Sequence, residues 1–139
     1  MSKKTLKIAN ATVEISIKKN LVHISVSGEF TDEVLLKLTQ YMDGIIDQIP
    51  GNPIQVWDTS GVPPQYLKIT RQGIDETAES VRKMKRKRPE STIYFLSPTV
   101  VSFGMARKLD IESGLKEMGT VLIKSINDLP PAIKSKLTK

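Results

Sequence analysis

Two short segments near the start of this chain alternate apolar and polar residues, and the pattern then changes period. In residues 12–18, Val13, Ile15 and Ile17 share one face, with Glu14, Ser16 and Lys18 opposite. In residues 21–27, Val22, Ile24 and Val26 share a face. Such alternation describes strands buried on one side only. Lys19-Asn20 between them has the composition of a hairpin turn. The next apolar stripe, Leu35, Leu38, Met42, Ile45, Ile46 and Ile49, has helical spacing. Thr31 suits its N-cap, and Asp32 and Glu33 fall in the first turn beside the positive end of the helix dipole. Phe30 and Leu35 stand at the two positions of a hydrophobic staple. Pro50-Gly51-Asn52-Pro53 stops this helix.

Strands and helices then alternate. Residues 54–58 read as a strand, and a helix is expected from Thr70 or Asp75 to Lys87, with Ile74, Ala78, Val81 and Met84 inward and Gly73 interrupting the pattern. The apolar run 92–96 is short enough for a buried strand. Ser97-Pro98 suits the opening of a third helix reaching about Met118, with Gly119 as its terminator. Val121-Leu122-Ile123 is a fifth strand. A last helix is expected from Asn127 or Asp128, with Pro130 and Pro131 in its first turn and Ile133 and Leu137 inward. This order predicts a single α/β domain over residues 1–139 with a mixed, mainly parallel sheet of about five strands. An N-terminal β-hairpin lies at one edge, and about four helices complete the domain.

Composition narrows the chemistry. The 139 residues include no cysteine, which excludes disulfides and thiolate ligands. No apolar run is long enough to cross a bilayer and no signal core follows Met1, so a cytoplasmic protein is expected. The net charge is +6, and residues 82–88 supply six basic side chains. Removing those six from 21 basic residues leaves 15, equal to the 15 acidic ones, so the excess is local. The run ends a helix just before Pro89, where cations meet the negative end of the dipole. It has no interleaved aromatic residue to stack on bases, so nucleic-acid binding is the weaker reading.

Candidate site residues cluster after the strand 54–58. Asp58, Thr59, Ser60 and Gly61 fall at its carboxyl end, where open α/β sheets place working loops. Asp58 in a turn accepts hydrogen bonds from nearby amides, and Thr59 and Ser60 bond locally or bind phosphate. Gly61 is expected to supply an unusual backbone angle. Trp57, the sole tryptophan, reads as core with its indole N–H satisfied. His23, the sole histidine, falls opposite Val22, Ile24 and Val26, as a structural or exposed residue. No metal site, triad, P-loop or dinucleotide fingerprint can be assembled. Arg107 lies in an otherwise apolar row with Phe103 and Ile111, suited to pairing with a carboxylate such as Asp58 or binding an anion, or equally to standing at the helix edge with its stem packed on the core. Lys68 and Arg71 can join an anion site or simply remain exposed.

The element order resembles the STAS domain, named for sulfate transporters and anti-sigma factor antagonists. Asp58-Thr59-Ser60-Gly61-Val62 is similar to that family's Asp-hydrophobic-Ser-Gly-Val. Phe103-Gly104-Met105-Ala106-Arg107, and the strand-to-helix ending 121–137, resemble its bacterial stand-alone branch. Regulatory members carry Asp-Ser-Ser-Gly, with a phosphorylated serine, a few residues beyond the third strand. Here that stretch is Tyr66-Leu67-Lys68-Ile69, without the serine or glycine.

The resemblance implies a non-catalytic regulatory module without a cofactor that binds a protein partner. Its surface would include Asp58, Thr59, Ser60, Tyr66, Lys68, Arg71, Phe103 and Arg107. Ser60 and Thr70 are the hydroxyls considered for phosphorylation. The alternative is a carrier or sensor of a small apolar, lipid or anionic ligand, with a pocket near Trp57, Tyr66 and Phe103. Homo-oligomers are compatible with either reading.

Overall fold

The structure, a computed structural model, describes residues 2–96 and 120–137. The expected third helix, with Phe103, Arg107 and the Ser97-Pro98 cap, lies outside the described residues. What is described is an α/β fold on a mixed six-stranded sheet ordered β1-β2-β3-β5-β7-β8. β1 (Ser2–Ile8), β2 (Ala11–Lys18) and β3 (Leu21–Gly28) form an antiparallel meander. β5 (Ile54–Gly61), β7 (Thr92–Leu96) and β8 (Thr120–Ile123) continue from β3 in parallel. Two dipeptides, β4 (Phe30–Thr31) and β6 (Leu67–Lys68), pair in parallel as a separate small sheet.

The expected hairpin is present as β2 and β3, but the edge belongs to β1. That strand holds only two apolar residues, Leu6 and Ile8, among three lysines. An edge strand has one neighbour and buries little, so its apolar signal is weak. β4 and β6 are too short to carry any period.

α1 (Asp32–Ile46) starts where its sequence signals place it: the Thr31 hydroxyl accepts the Val34 N–H at 3.4 Å. Val34, Leu35, Leu38, Met42 and Ile46 are buried. α2 (Arg71–Lys87) is capped by Thr70 and buries Ala78, Val81 and Met84. Both helices cover the face carrying Val13, Ile15, Val22, Ile24, Val26 and Trp57. Removing these side chains from water drives the layer together, at about 2 kcal/mol for each fully buried large apolar side chain.

The other face holds a smaller core of Leu21, Val56, Leu96 and Ile123 under Leu129 and Ile133. The terminal helix begins later than the sequence suggests. Ile126–Asp128 is a 3-10 turn capped by Ser125, and α3 (Pro131–Leu137) follows an extended Leu129. Asp128 closes the capping box by accepting the Ser125 N–H at 3.2 Å, so its side chain ends one short turn instead of starting a long helix. Pro131 then occupies the first helical position, where its missing N–H costs nothing. Among the described residues no helix is long and apolar enough to cross a membrane.

Candidate functional site

The carboxyl ends of β3 and β5 lead into α1 and α2, so both helix N-termini open on the same edge of the sheet. The parallel register sets Ser25 beside Asp58 and Ser27 beside Gly61. Two residues thus intervene on β5 against one on β3, which is a β-bulge at Thr59 and Ser60. The bulge sorts the side chains. Thr59 turns inward, and its hydroxyl donates to the Leu96 carbonyl of β7 at 2.9 Å. Ser60 turns outward and is exposed. Gly61 keeps an ordinary negative φ, contrary to the expected unusual angle. Its role is close packing: a Cβ there would lie 2.9 Å from the Ser27 Cβ and 3.0 Å from the Val26 carbonyl.

Asp58 is the centre of a polar cluster on the side of the sheet away from α1 and α2. Its Oδ1 accepts the Ser60 amide at 2.9 Å and the Ser60 hydroxyl at 2.6 Å. Its Oδ2 lies 3.8 Å from His23 Nε2, an ion-pair distance beyond hydrogen-bond reach. His23 Nε2 is buried and has no hydrogen-bond partner among the described residues. Burial alone would raise the Asp58 carboxyl. The neighbouring His23 imidazole and the Ser60 hydroxyl and amide outweigh it and hold the carboxyl below its ordinary value.

The sequence gives no spacing that joins His23 to Asp58, because the link is across strands. His23 and Ser25 alternate onto one face, and Ser25 pairs with Asp58. Only the β3/β5 pairing makes them neighbours. The order of the three groups is wrong for nucleophilic catalysis. An imidazole stands between hydroxyl and carboxylate in a triad; here Ser60 bonds to the carboxylate directly. A carboxylate held below its usual pKa is also a poor base toward a hydroxyl.

A second bridge joins the two helix starts. The Asp32 carboxylate accepts the Thr70 amide at 2.8 Å and also the Thr70 hydroxyl. The same Thr70 hydroxyl accepts the Gly73 N–H at 3.3 Å. Asp32 is the first residue of α1 and contacts the N-cap of α2, so one carboxylate faces two positive helix ends. Gly73 permits this, because a Cβ there would stand 2.1 Å from Asp32 Oδ1. The glycine that interrupts the sequence pattern of α2 is the space into which Asp32 fits.

Between these bridges runs the loop with Tyr66 and Lys68. Pro64–Tyr66 is a 3-10 turn with Tyr66 45% exposed. Lys68 Nζ lies 3.5 Å from Glu29 Oε2, while the backbone of β6 pairs with β4. Arg71 opens α2; its side chain lies outside the described residues, as do Phe103 and Arg107. Ser60 and Thr70, the two hydroxyls considered for phosphorylation, each bond directly to a carboxylate, which would repel a phosphoryl group there. Trp57 faces the opposite way from Asp58. It is 4% exposed, packs against the Phe95 ring at a tilt of 44° with centroids 5.4 Å apart, and donates to Gln55 Oε1 at 2.9 Å. Gln55 in turn donates to Met84 Sδ at 3.3 Å. This is the core role its indole suggests.

The basic run 82–88 is largely committed to the fold. Arg88 donates to the carbonyls of Ile46, Asp47 and Gly51, at the carboxyl end of α1. Lys87 approaches Asp43 and Asp47 at 3.3 and 3.6 Å, which raises its pKa. Lys85 donates to the carbonyls of Pro89 and Ser91, and Arg82 pairs with Glu79. Among the described residues no cluster of three or more acidic or histidine side chains is placed to hold a metal ion. In comparisons with known proteins, no family model matches the chain and no curated protein matches it.

Proposed function

We propose that this chain is a STAS-like regulatory module of the bacterial type that acts in the cytoplasm by binding another protein, without catalysis. The contact surface runs from Asp58, near the end of β5, through the following loop to Arg71 and the start of α2, extended by Phe103 and Arg107. The observation that carries the reading is the exposed Tyr66 on a braced turn. Glu29 and Asp32 fix the chain on its carboxyl side, and two prolines precede it. An exposed tyrosine on a braced backbone spares the cost of ordering the loop on docking and supplies a large amphipathic anchor. Lys68 adds a cation at its side. The Asp58 cluster supports the same reading, since its hydrogen bonds stabilise the bulge that shapes the loop. Docking would alter the partner's availability. Replacing Tyr66, Lys68 and Arg71 together by alanine is expected to weaken partner capture at least tenfold with the thermal midpoint preserved. Unchanged capture would remove this surface from consideration.

A further inference from the structure

β1 forms the outer edge of the six-stranded sheet, paired through all seven residues to β2 on one side and to no described strand on the other. Alternate residues of such an edge direct their N–H and C=O groups outward, ready to pair with another strand. The side chains along it are not neutral. Lys3, Lys4 and Lys7 are exposed, the strand carries no acid, and none of the three makes an ion pair among the described residues. Lys4 instead lies over the Tyr41 ring at 5.2 Å. The nearest acid by register is Glu14, opposite Thr5 on β2.

The two faces of β1 differ. Lys3, Thr5 and Lys7 lie on the face away from α1, while Leu6 and Ile8 lie on the helix side, half-buried against the main core. Lysines on an edge oppose pairing with a second copy, because an antiparallel β1–β1 pair sets like charges near one another. The same lysines favour a strand of opposite charge.

We propose that the outer edge of β1 takes up an extended acidic segment of a partner protein as a seventh strand. Its carboxylates would face Lys3 and Lys7, and its intervening apolar side chains would extend the cover over Leu6 and Ile8. Main-chain hydrogen bonds supply the affinity and the alternation supplies the selectivity. This surface is separate from the Tyr66 loop, and the inference does not rest on that loop's role.

The test is fluorescence anisotropy of the full chain with a labelled seven-residue peptide alternating glutamate and valine. Saturable binding is expected, weakening as salt rises. The Lys3→Glu/Lys7→Glu variant is expected to bind it about tenfold more weakly. The same variant should gain binding to a lysine–valine peptide, which also establishes that it is folded. N-methylation of alternate peptide amides should abolish binding, because it removes the donors that pair with the strand edge. Equal binding of the N-methylated peptide, or no binding of the glutamate–valine peptide, would overturn the proposal. So would a stable homodimer that the double charge reversal dissociates, since the edge would then be occupied by a second copy.

Discussion

At Asp58, burial and hydrogen bonding pull in opposite directions, and the balance has a measurable sign. Its carboxyl ionises more readily in the folded chain than in the unfolded one, where the ordinary value is 3.8. The charged form therefore stabilises the fold above that value. The contribution is lost as pH falls through the lower, folded value. Asp58→Asn is expected to cost about 2 kcal/mol at neutral pH, through the weakened bonds to Ser60. It should also flatten the acid limb of stability relative to the natural chain. Urea unfolding across the acid range checks both, and identical acid limbs would contradict the assignment. Gly61 makes a different demand on the same bulge. Gly61→Ala forces a methyl against the Ser27 side chain and the Val26 carbonyl. A loss of about 1–3 kcal/mol is expected in thermal or urea unfolding.

At the scale of elements, the two helices are joined at both ends by polar side chains rather than by packing alone. At their N-termini the link is Asp32, which serves α1 by position and α2 by hydrogen bonds. Asp32→Ala is expected to destabilise the chain by about 2 kcal/mol, as charge-assisted bonds and a favourable dipole contact are lost together. At the other end α1 has no basic residue in its last turn, and Arg88 supplies the missing cation from the end of α2. Arg88→Ala should cost about 1–2 kcal/mol in urea unfolding, while Arg86→Ala, at an exposed position, should fall within about 0.5 kcal/mol of the natural chain. Equal effects of the two would mean that the basic run is a solvated face rather than a clamp.

Across the whole molecule, the sequence reveals those elements whose burial imposes a regular period. β2, β3 and α1 are readable because each buries one repeating set of side chains, β7 because it is a short apolar run with a core on either face, and the Thr31 cap marks the start of α1. β1 is hidden because an edge strand with three lysines has little to bury. The 3-10 turn before α3 is hidden because proline and capping residues suit either boundary. The candidate site is legible in part. Asp58, Ser60, Tyr66 and Lys68 fall close together in the chain, at the end of β5 and just beyond it, and can be found by position. The His23–Asp58 approach and the Asp32–Thr70 bridge depend on strand pairing and helix adjacency, which no local spacing encodes. Gly73 is the visible trace of the bridge, a glycine where a helix former would be expected.

The Tyr66 turn is the proposed contact surface for a protein partner. The most direct test places a photo-cross-linking residue at position 66 and, as control, at the exposed Gln40 on α1, in cells of the protein's own host. A discrete protein adduct is expected from position 66, absent from position 40 and diminished by Lys68→Ala. The same adducts from both positions, or none from position 66, would contradict it.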